Sequence, residues 1–251
     1  MEKHGLLTIG TMPIGDHKDL TQNLIYNLIS NDIIYVETMW VIKEIGNKLG
    51  INFEKKSIVL DRDDKKQSEI IVSELKNGKN IIFVSDGGSA FISDPGLNII
   101  SHPYFKKNNY KVLPGPSSIA LAFDYAASNG IISDNEFHFY GFYTKESIKK
   151  IKDRKDEVAI IFLRSYEQPS DQEDLDYKSI FKYMYDQLGE KSITICIDLT
   201  TEWEKIIKTN LSNAYDKIND HIQYGKENFV KEKIHYYLTL VIADSSKNEL
   251  D

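Results

Sequence analysis

Four turns in the first half of the chain carry the residues whose types and spacing suit a binding site. Each follows an apolar run and combines glycine, proline or an acid with small polar residues: TMPIGDHKDLT (11–21), VETMW (36–40), SDGGSAFISDPG (85–96) and PGPSS (114–118). Glycine permits positive φ and close approach of a ligand to the backbone, and a helix that begins directly afterwards offers unpaired N–H groups. Such turns predict a site for a polar small molecule.

Several common chemistries do not fit these residues. The first turn matches neither GxGxxG nor GxxxxGK[ST], so a nucleotide pyrophosphate held in the Rossmann or P-loop manner is not indicated. The six histidines show no paired ligand spacing, and we predict no metal site. No convincing Ser/His/Asp set is present. Cys196, the single cysteine, lies in the apolar run ITICID, which favours a buried strand residue over a nucleophile.

The polar residues of the turns have two interpretations each. The Asp86 carboxylate, directly after an apolar strand, can bind a ligand hydroxyl or ammonium, or can cap a turn by accepting backbone N–H groups. Ser117 and Ser118 can likewise contact a ligand or cap the next helix. Asp94 and Pro95 are typical of a helix start and are interpreted as structural.

The segments around these turns alternate between strands and helices. Strands are predicted at 5–12, 32–38 and 81–84, with helical spacing in 19–31 and 64–78 between them. This alternation predicts an α/β fold with a mostly parallel sheet covered by helices on both faces. A charged stretch at 142–157 is interpreted as a solvated helix over 145–155. We place a domain boundary there, giving an N-terminal α/β domain, 1–142, and a C-terminal α/β domain, 143–251.

Composition narrows the class of protein. The chain has 251 residues, 41% hydrophobic and 27% charged, which is typical of a folded soluble protein. Its formal charge of −7 argues against nonspecific binding of nucleic acid across the whole surface. The N-terminal segment has no apolar core of signal-peptide length, and no apolar run is long enough to span a bilayer. We therefore expect a cytoplasmic protein with no membrane association.

In their order and spacing the four turns resemble the tetrapyrrole methylase superfamily of S-adenosylmethionine-dependent methyltransferases. Within it the chain is most similar to the family that methylates a cytidine ribose 2′-hydroxyl in 16S ribosomal RNA. The matching segments are MPIGDHKDLT (12–21), GKNIIFVSDGGSAFISDPG (78–96), VLPGPSSIALA (112–122), SNG (128–130), FHFYGF (137–142), DLTTEWEKIIKTNLSNA (198–214) and LTLVIA (238–243).

The resemblance implies a fold and a cofactor. The expected fold has a mostly parallel sheet in the first domain, a mixed sheet in the second and an S-adenosylmethionine cleft between them; a homodimer is also expected. The positions that match cofactor-binding ones are Met12, Pro13, Asp86, Ser89, Ser117, Ser118, Leu163 and Cys196. The absent phosphate-binding loop agrees with this cofactor, which is cationic and carries no phosphate.

The acceptor is less constrained by sequence than the cofactor is. A hydroxyl acceptor needs a base, and Glu37 is the candidate, with Asp16 behind it; for either, an ordinary solvated carboxylate is the alternative. The family's ATPIGN and AEDTR are here TMPIGD and VETMW, and its YESPHR is poorly matched by 164–171. The second change puts Trp40 at a basic position, where it can stack on an RNA base or pack. Ribosomal RNA is the expected substrate; another acceptor, or a non-catalytic binding protein, are the alternatives.

Overall fold

The computed structural model describes residues 4–60, 66–94, 96–107, 110–132, 135–154, 158–163, 176–228 and 238–243. The chain divides into two compact units, Met1–Ser117 and Ser118–Asp251.

The first unit is a parallel sheet with helices between its strands. Its strands are β1 (Leu7–Met12), β2 (Ile33–Val36), β3 (Ser57–Val59), β4 (Ile81–Val84), β5 (Gly88–Ser89) and β6 (Tyr110–Val112). Its helices are α1 (Gln22–Ser30), α2 (Met39–Leu49), α3 (Gln67–Lys76) and α4 (Gly96–Ile100), with short 3-10 turns at 17–19, 54–56 and 103–107. The order β3-β2-β4-β1-β6 is parallel throughout, and only the two-residue β5 pairs antiparallel, with β1. The mostly parallel sheet predicted from sequence is confirmed.

Burial explains why the central strand reads as an unbroken apolar run. All four residues of β4 are buried, and they alternate between two hydrophobic cores, one on each face of the sheet. Ile81 and Phe83 pack into one core with α3, while Ile82 and Val84 pack into the other with α1 and α2. A strand covered on both faces has no polar side, so the alternation expected of a half-exposed strand is missing.

The second unit is a mixed sheet. Its strands are β7 (His138–Phe142), β8 (Val158–Leu163), β9 (Ser192–Ile197), β10 (Lys205–Asn210) and β11 (Leu238–Ala243). Its helices are α5 (Ser118–Ser128), α6 (Lys145–Arg154), α7 (Tyr177–Leu188) and α8 (Ala214–Asn228). The order is β10-β9-β11-β8-β7, antiparallel except where β7 runs parallel to β8. The mixed sheet implied by the resemblance is therefore confirmed.

Two features of the second unit differ from the sequence analysis. The helix α5 packs against β9 and β11 of this unit and β7 pairs with β8, so the division at Ser117 and Ser118 lies before the predicted boundary of 142–157. The apolar spacing of 118–128 predicts a helix with a buried face. Which of the two sheets covers that face is decided by the tertiary structure. The edge strand β10 was not predicted, because its lysines and half-exposed isoleucines lack a clear period-two pattern.

The solvated helix predicted over 145–155 is confirmed as α6, with Ser147, Ile148 and Ile151 as its buried stripe. Within the ranges that the structure describes, no helix is both long and apolar enough to cross a bilayer.

The environment of Cys196 gives the first testable prediction. This residue lies in β9 with none of its side chain exposed, and desolvation, followed by the nearby Glu204 carboxylate, raises the pKa of its thiol to about 12. Only the thiolate reacts at a useful rate, so the native thiol should be inert. We expect no labelling by a maleimide at pH 8 and one label per chain in denaturant, measured by mass spectrometry. Rapid labelling of the native protein would contradict this burial.

Candidate functional site

All four turns lie at the carboxyl edge of the first sheet, and the first lies beside the third and the fourth. In the ladder between β1 and β5, Thr11 pairs with Ser89 and Met12 pairs with Gly88, so the first and third turns are neighbours. The side-chain hydroxyl of Thr11 donates a hydrogen bond of 2.7 Å to the carbonyl of Leu113, just before the fourth turn. Ligands of open parallel sheets collect at this edge, because the connecting loops diverge there.

The second turn is tied to the third by an exchange of hydrogen bonds between the ends of β2 and β4. Asp86 Oδ1 accepts from both the backbone N–H and the side-chain hydroxyl of Thr38, each at 3.0 Å. In return, the backbone N–H of Asp86 donates to Glu37 Oε2 at 3.0 Å. We call these three residues the strand-end tie. It joins the acid proposed for cofactor binding to the acid proposed as base.

The tie changes the interpretation of both acids. Asp86 accepts a backbone N–H, as its capping interpretation required, but that N–H belongs to another turn, and the residue itself is exposed. Glu37 is 9% exposed, so the alternative of an ordinary solvated carboxylate is wrong for it. Thr38 was not singled out in the sequence. Thr38 is the N-cap residue of α2, but its side chain accepts no N–H of that helix. Its bonds to Asp86 are visible only in the structure.

Glycines at this edge leave room for a ligand. Gly88 has a φ of +70°, a conformation that side chains with a Cβ rarely adopt. Gly87 is exposed, and a Cβ built there would come no closer to another atom than 3.4 Å, to the Pro13 carbonyl oxygen. A Cβ at Gly115 would instead lie 2.7 Å from Cβ of Thr11, so that glycine allows the fourth turn to pack against β1.

The remaining residues of the first unit that were predicted to bind the cofactor differ in burial. Ser89 and Ser117 are half-buried, while the Met12 side chain is fully buried in the core, which leaves its backbone beside Gly88. Pro13 is buried and presents its carbonyl toward Gly87. An exposed carboxylate, two hydroxyls and bare glycine backbone fit the amino, hydroxyl and adenine groups of a cofactor such as S-adenosylmethionine.

Asp16 is held as a helix cap. Its carboxylate accepts from the backbone N–H of Lys18 at 2.9 Å and lies 3.8 Å from the Lys18 ammonium. The Lys18 N–H holds the pKa of Asp16 below its usual value, against a smaller opposing effect of burial. A carboxylate with a lowered pKa is a weaker base, so this environment disfavours Asp16 as the proton acceptor.

The other predicted cofactor residues belong to the second unit. Ser118 begins α5 and is half-buried. Leu163 ends β8 and Cys196 is the penultimate residue of β9, and both side chains are buried, with exposures of 1% and 0%. The predicted burial of Cys196 in a strand is confirmed. Leu163 and Ile197 pair with the same residue, Leu238, across β11, so the ends of β8 and β9 lie two strands apart.

The turn after β9 lies in the segment 198–214 that resembles the family, but none of its residues was singled out from the sequence. Asp198 and Thr200 both have positive φ, at 48° and 66°, although neither is glycine. Glu204 holds the turn: it accepts from the Thr200 N–H and from the Tyr125 hydroxyl, both at 2.7 Å. Asp198 also lies 3.7 Å from His221 of α8. Backbone in this sparsely populated region marks the segment DLTTE as a second constrained turn.

Trp40 lies two residues after Thr38 and is 62% exposed. The packing role weighed for it in the sequence is therefore wrong. Of the predicted helix start, Pro95 lies outside the described residues, as do 164–171. In the part of the chain that the structure describes, no group of three His, Cys, Asp or Glu residues could hold a metal ion.

Comparison with known proteins identifies the class. A family model described as Tetrapyrrole (Corrin/Porphyrin) Methylases matches residues 6–215. The crystal structure of the methyltransferase CobJ superposes with a TM-score of 0.67 at 12% identity, covering 98% of this chain and 97% of that one. A uroporphyrin-III C-methyltransferase from Thermus thermophilus, complexed with S-adenosylhomocysteine, gives 0.58 at 9% identity, covering 95% of this chain and 97% of that one.

Sequence relatives are more specific. The ribosomal RNA small subunit methyltransferase I of Buchnera aphidicola subsp. Schizaphis graminum is 30% identical over 239 residues, which is 92% of this chain and 78% of that protein. The chain therefore belongs to the tetrapyrrole methylase family of methyltransferases and, within it, to the family of ribosomal RNA small subunit methyltransferase I. The resemblance seen in the sequence is confirmed.

The strand-end tie predicts a measurable loss of stability. Replacing Asp86 by alanine removes an acceptor of two hydrogen bonds, and we expect the free energy of unfolding to fall by about 1 kcal/mol in urea denaturation. Asp32→Ala is the matched control, because Asp32 accepts from the Asn80 N–H at 2.8 Å at the opposite ends of the same two strands. The two losses should be similar; no change in Asp86→Ala would show that the tie is dispensable.

Proposed function

We propose that this chain transfers a methyl group from S-adenosylmethionine to a ribose 2′-hydroxyl of small-subunit ribosomal RNA, in the cytoplasm and as a homodimer. The observation that carries the proposal is the gathering of the four turns at one sheet edge, with an exposed carboxylate and bare glycine backbone in a member of this family. Relatives named for ribosomal RNA methylation supply the acceptor class.

The residues of this edge contribute mainly positioning. Bound S-adenosylmethionine supplies a methyl group on a positively charged sulfur, a carbon that is already activated toward displacement. What the protein adds is alignment of the acceptor oxygen and exclusion of water. The exposed Gly87 allows close approach to backbone, and Asp86 is held in place by Thr38 rather than free to turn away.

Deprotonation of the acceptor is the one step that needs a titratable group. As the bond from the ribose oxygen to the methyl carbon forms and the bond from that carbon to sulfur breaks, the hydroxyl proton must leave. Glu37 is the proposed acceptor of that proton. Burial and the Asp86 N–H keep its carboxylate fixed at the end of β2, and fixed geometry favours transfer over solvent exchange.

Methyl transfer to purified RNA tests the acceptor. With labelled S-adenosylmethionine and protein-free 16S RNA or 30S subunits from cells lacking the gene, we expect one methyl group per RNA on a ribose, located by mass mapping. Asp86→Ala should weaken cofactor affinity by about 10-fold in calorimetry, since one charge-assisted contact is lost, while Asp32→Ala should leave it unchanged. Cofactor binding without transfer to RNA would refute the acceptor and point to a different one; absence of cofactor binding would refute the methyltransferase activity.

Glutamine at position 37 separates the two roles of this carboxylate. Glu37→Gln keeps a side-chain oxygen that accepts from the Asp86 N–H but removes the base. We expect the rate of methyl transfer to fall by about 100-fold, with unfolding free energy within about 0.5 kcal/mol of wild type.

Asp16→Asn is the control for that substitution, because it likewise preserves an acceptor for the Lys18 N–H and should change the rate little. Equal rates for wild type and Glu37→Gln would leave Glu37 with a positioning role only.

A further inference from the structure

We infer that the outward face of α2, through Trp40 and Lys43, binds an unpaired nucleotide of the substrate RNA beside the methylated one. This inference rests on the proposed function and adds a contact for the acceptor strand. The feature that prompts it is an exposed tryptophan. Tryptophan is among the most buried residues on average, so one with 62% of its surface exposed calls for an explanation.

Packing of α2 does not require Trp40. The helix buries Ile42, Ile45 and Gly46, and Met39 and Val41 are partly buried against the same core. Position 40 lies on the opposite face. Across the described ranges, the Trp40 ring has no contact with another aromatic ring or with a cation. The exposed part of the indole can therefore be offered to a planar group.

The position of Trp40 relates it to the active edge. It follows Thr38, which bonds to Asp86, by two residues and sits in the first turn of a helix that starts at the carboxyl end of β2. The other strongly exposed aromatic of this unit, Tyr26 at 68%, is on α1, whose last residues lead back to the opposite edge of the sheet, where β2 begins. An aromatic residue three positions after the proposed base, on the helix that begins there, is suitably placed for a neighbour of the target nucleotide.

The same helix face offers a cation for the backbone. Lys43 follows Trp40 by three residues and Asn47 follows Lys43 by four, so the three share one face, and all three are exposed. Among the described residues Lys43 has no ion-pair partner, whereas Lys48 lies 3.8 Å from Glu44 and 2.9 Å from His17 Nδ1. Lys43 and Asn47 also line a groove of about 290 Å³ that continues to Asn52 and Glu54.

An unpaired nucleotide matches both groups at once. A base stacks on an exposed indole, and its phosphate is neutralised by a lysine one helical turn away; this pairing of stacking and charge is typical of single-strand recognition. A duplex cannot use it, because its bases are already stacked. The overall charge of −7 fits this picture of local contacts, since it disfavours binding over the whole surface.

Fluorescence reports on the contact directly, because the chain has two tryptophans. In Trp203→Phe, Trp40 is the only tryptophan, and we expect its emission to be quenched by a single-stranded RNA of about 12 nucleotides and not by the same sequence in a duplex. In Trp40→Phe, Trp203 reports instead and should not respond. RNA binding without quenching in Trp203→Phe would overturn the inference.

Kinetics give the second readout. Trp40→Ala should raise KM for RNA by about 10-fold, with kcat and S-adenosylmethionine affinity nearly unchanged. Trp40→Phe should restore most of the affinity for RNA, and Tyr26→Ala should have the KM of wild type. Lys43→Ala should reduce the slope of log affinity against log salt by about 0.7, the value for one phosphate contact on a single strand, while Lys55→Ala, at an exposed lysine off this face, should not.

The outcomes separate this inference from the proposed function. If the wild-type protein methylates RNA and Trp40→Ala has an unchanged KM for RNA, the contact is refuted and the proposed function stands. No transfer to RNA by wild type refutes the function itself. Quenching of Trp40 by intact small subunits but not by protein-free RNA would indicate a ribosomal protein as partner. Quenching that grows with protein concentration alone would indicate a second copy of the chain. Either of these last two results also overturns the inference.

Discussion

The mutual hydrogen bonding of Glu37, Thr38 and Asp86 is the constraint on which the candidate site depends. Neighbouring parallel strands end at the same edge but are not otherwise held together beyond their last ladder hydrogen bond. Here each strand end supplies one carboxylate that accepts from backbone of the other, so the two turns are fixed relative to each other. A carboxylate that binds a ligand and one that moves a proton need such a fixed separation, because both functions are sensitive to small displacements.

The tie works because the sheet beneath it is buried on both faces. The strand β4 has apolar cores above and below, and it lies between β2 and β1 in the sheet. Rigid packing of this kind leaves the polar chemistry to the loops at its edge. The Asp32 and Asn80 hydrogen bond at the other end of the same two strands shows that tying strand ends is a structural device here. Its active-edge counterpart differs in the two glycines, Gly87 and Gly88, that directly follow the carboxylate residue.

One departure from the pattern of the family that the sequence resembles lies in a turn that carries the strand-end tie. The turn that carries the tie is VETMW, and its Trp40 replaces a basic residue while leaving the tie itself to Glu37 and Thr38. A cation binds phosphate wherever it occurs, whereas an indole requires a base that is free to stack. A substitution of this kind would shift recognition from charge toward unpaired bases without altering the residues that hold the turn.

Much of this protein was readable from residue order. Glycines and prolines after apolar runs indicated the turns. The unbroken apolar run 81–84 indicated a strand covered on both faces, and the charged stretch over 145–155 indicated a solvated helix. Each of these features depends on local conformational preference or on periodicity along the chain. The structure decided what depends on contacts distant in sequence: the edge strand β10, the assignment of α5 and β7 to the second sheet, the burial of Glu37 and the exposure of Trp40. The bonds of Thr38 to Asp86 span 48 positions, and no local pattern encodes them. Whether a carboxylate is a cap, a base or a solvated charge is set by which atoms fold against it, and for that reason only the tertiary structure could separate these roles.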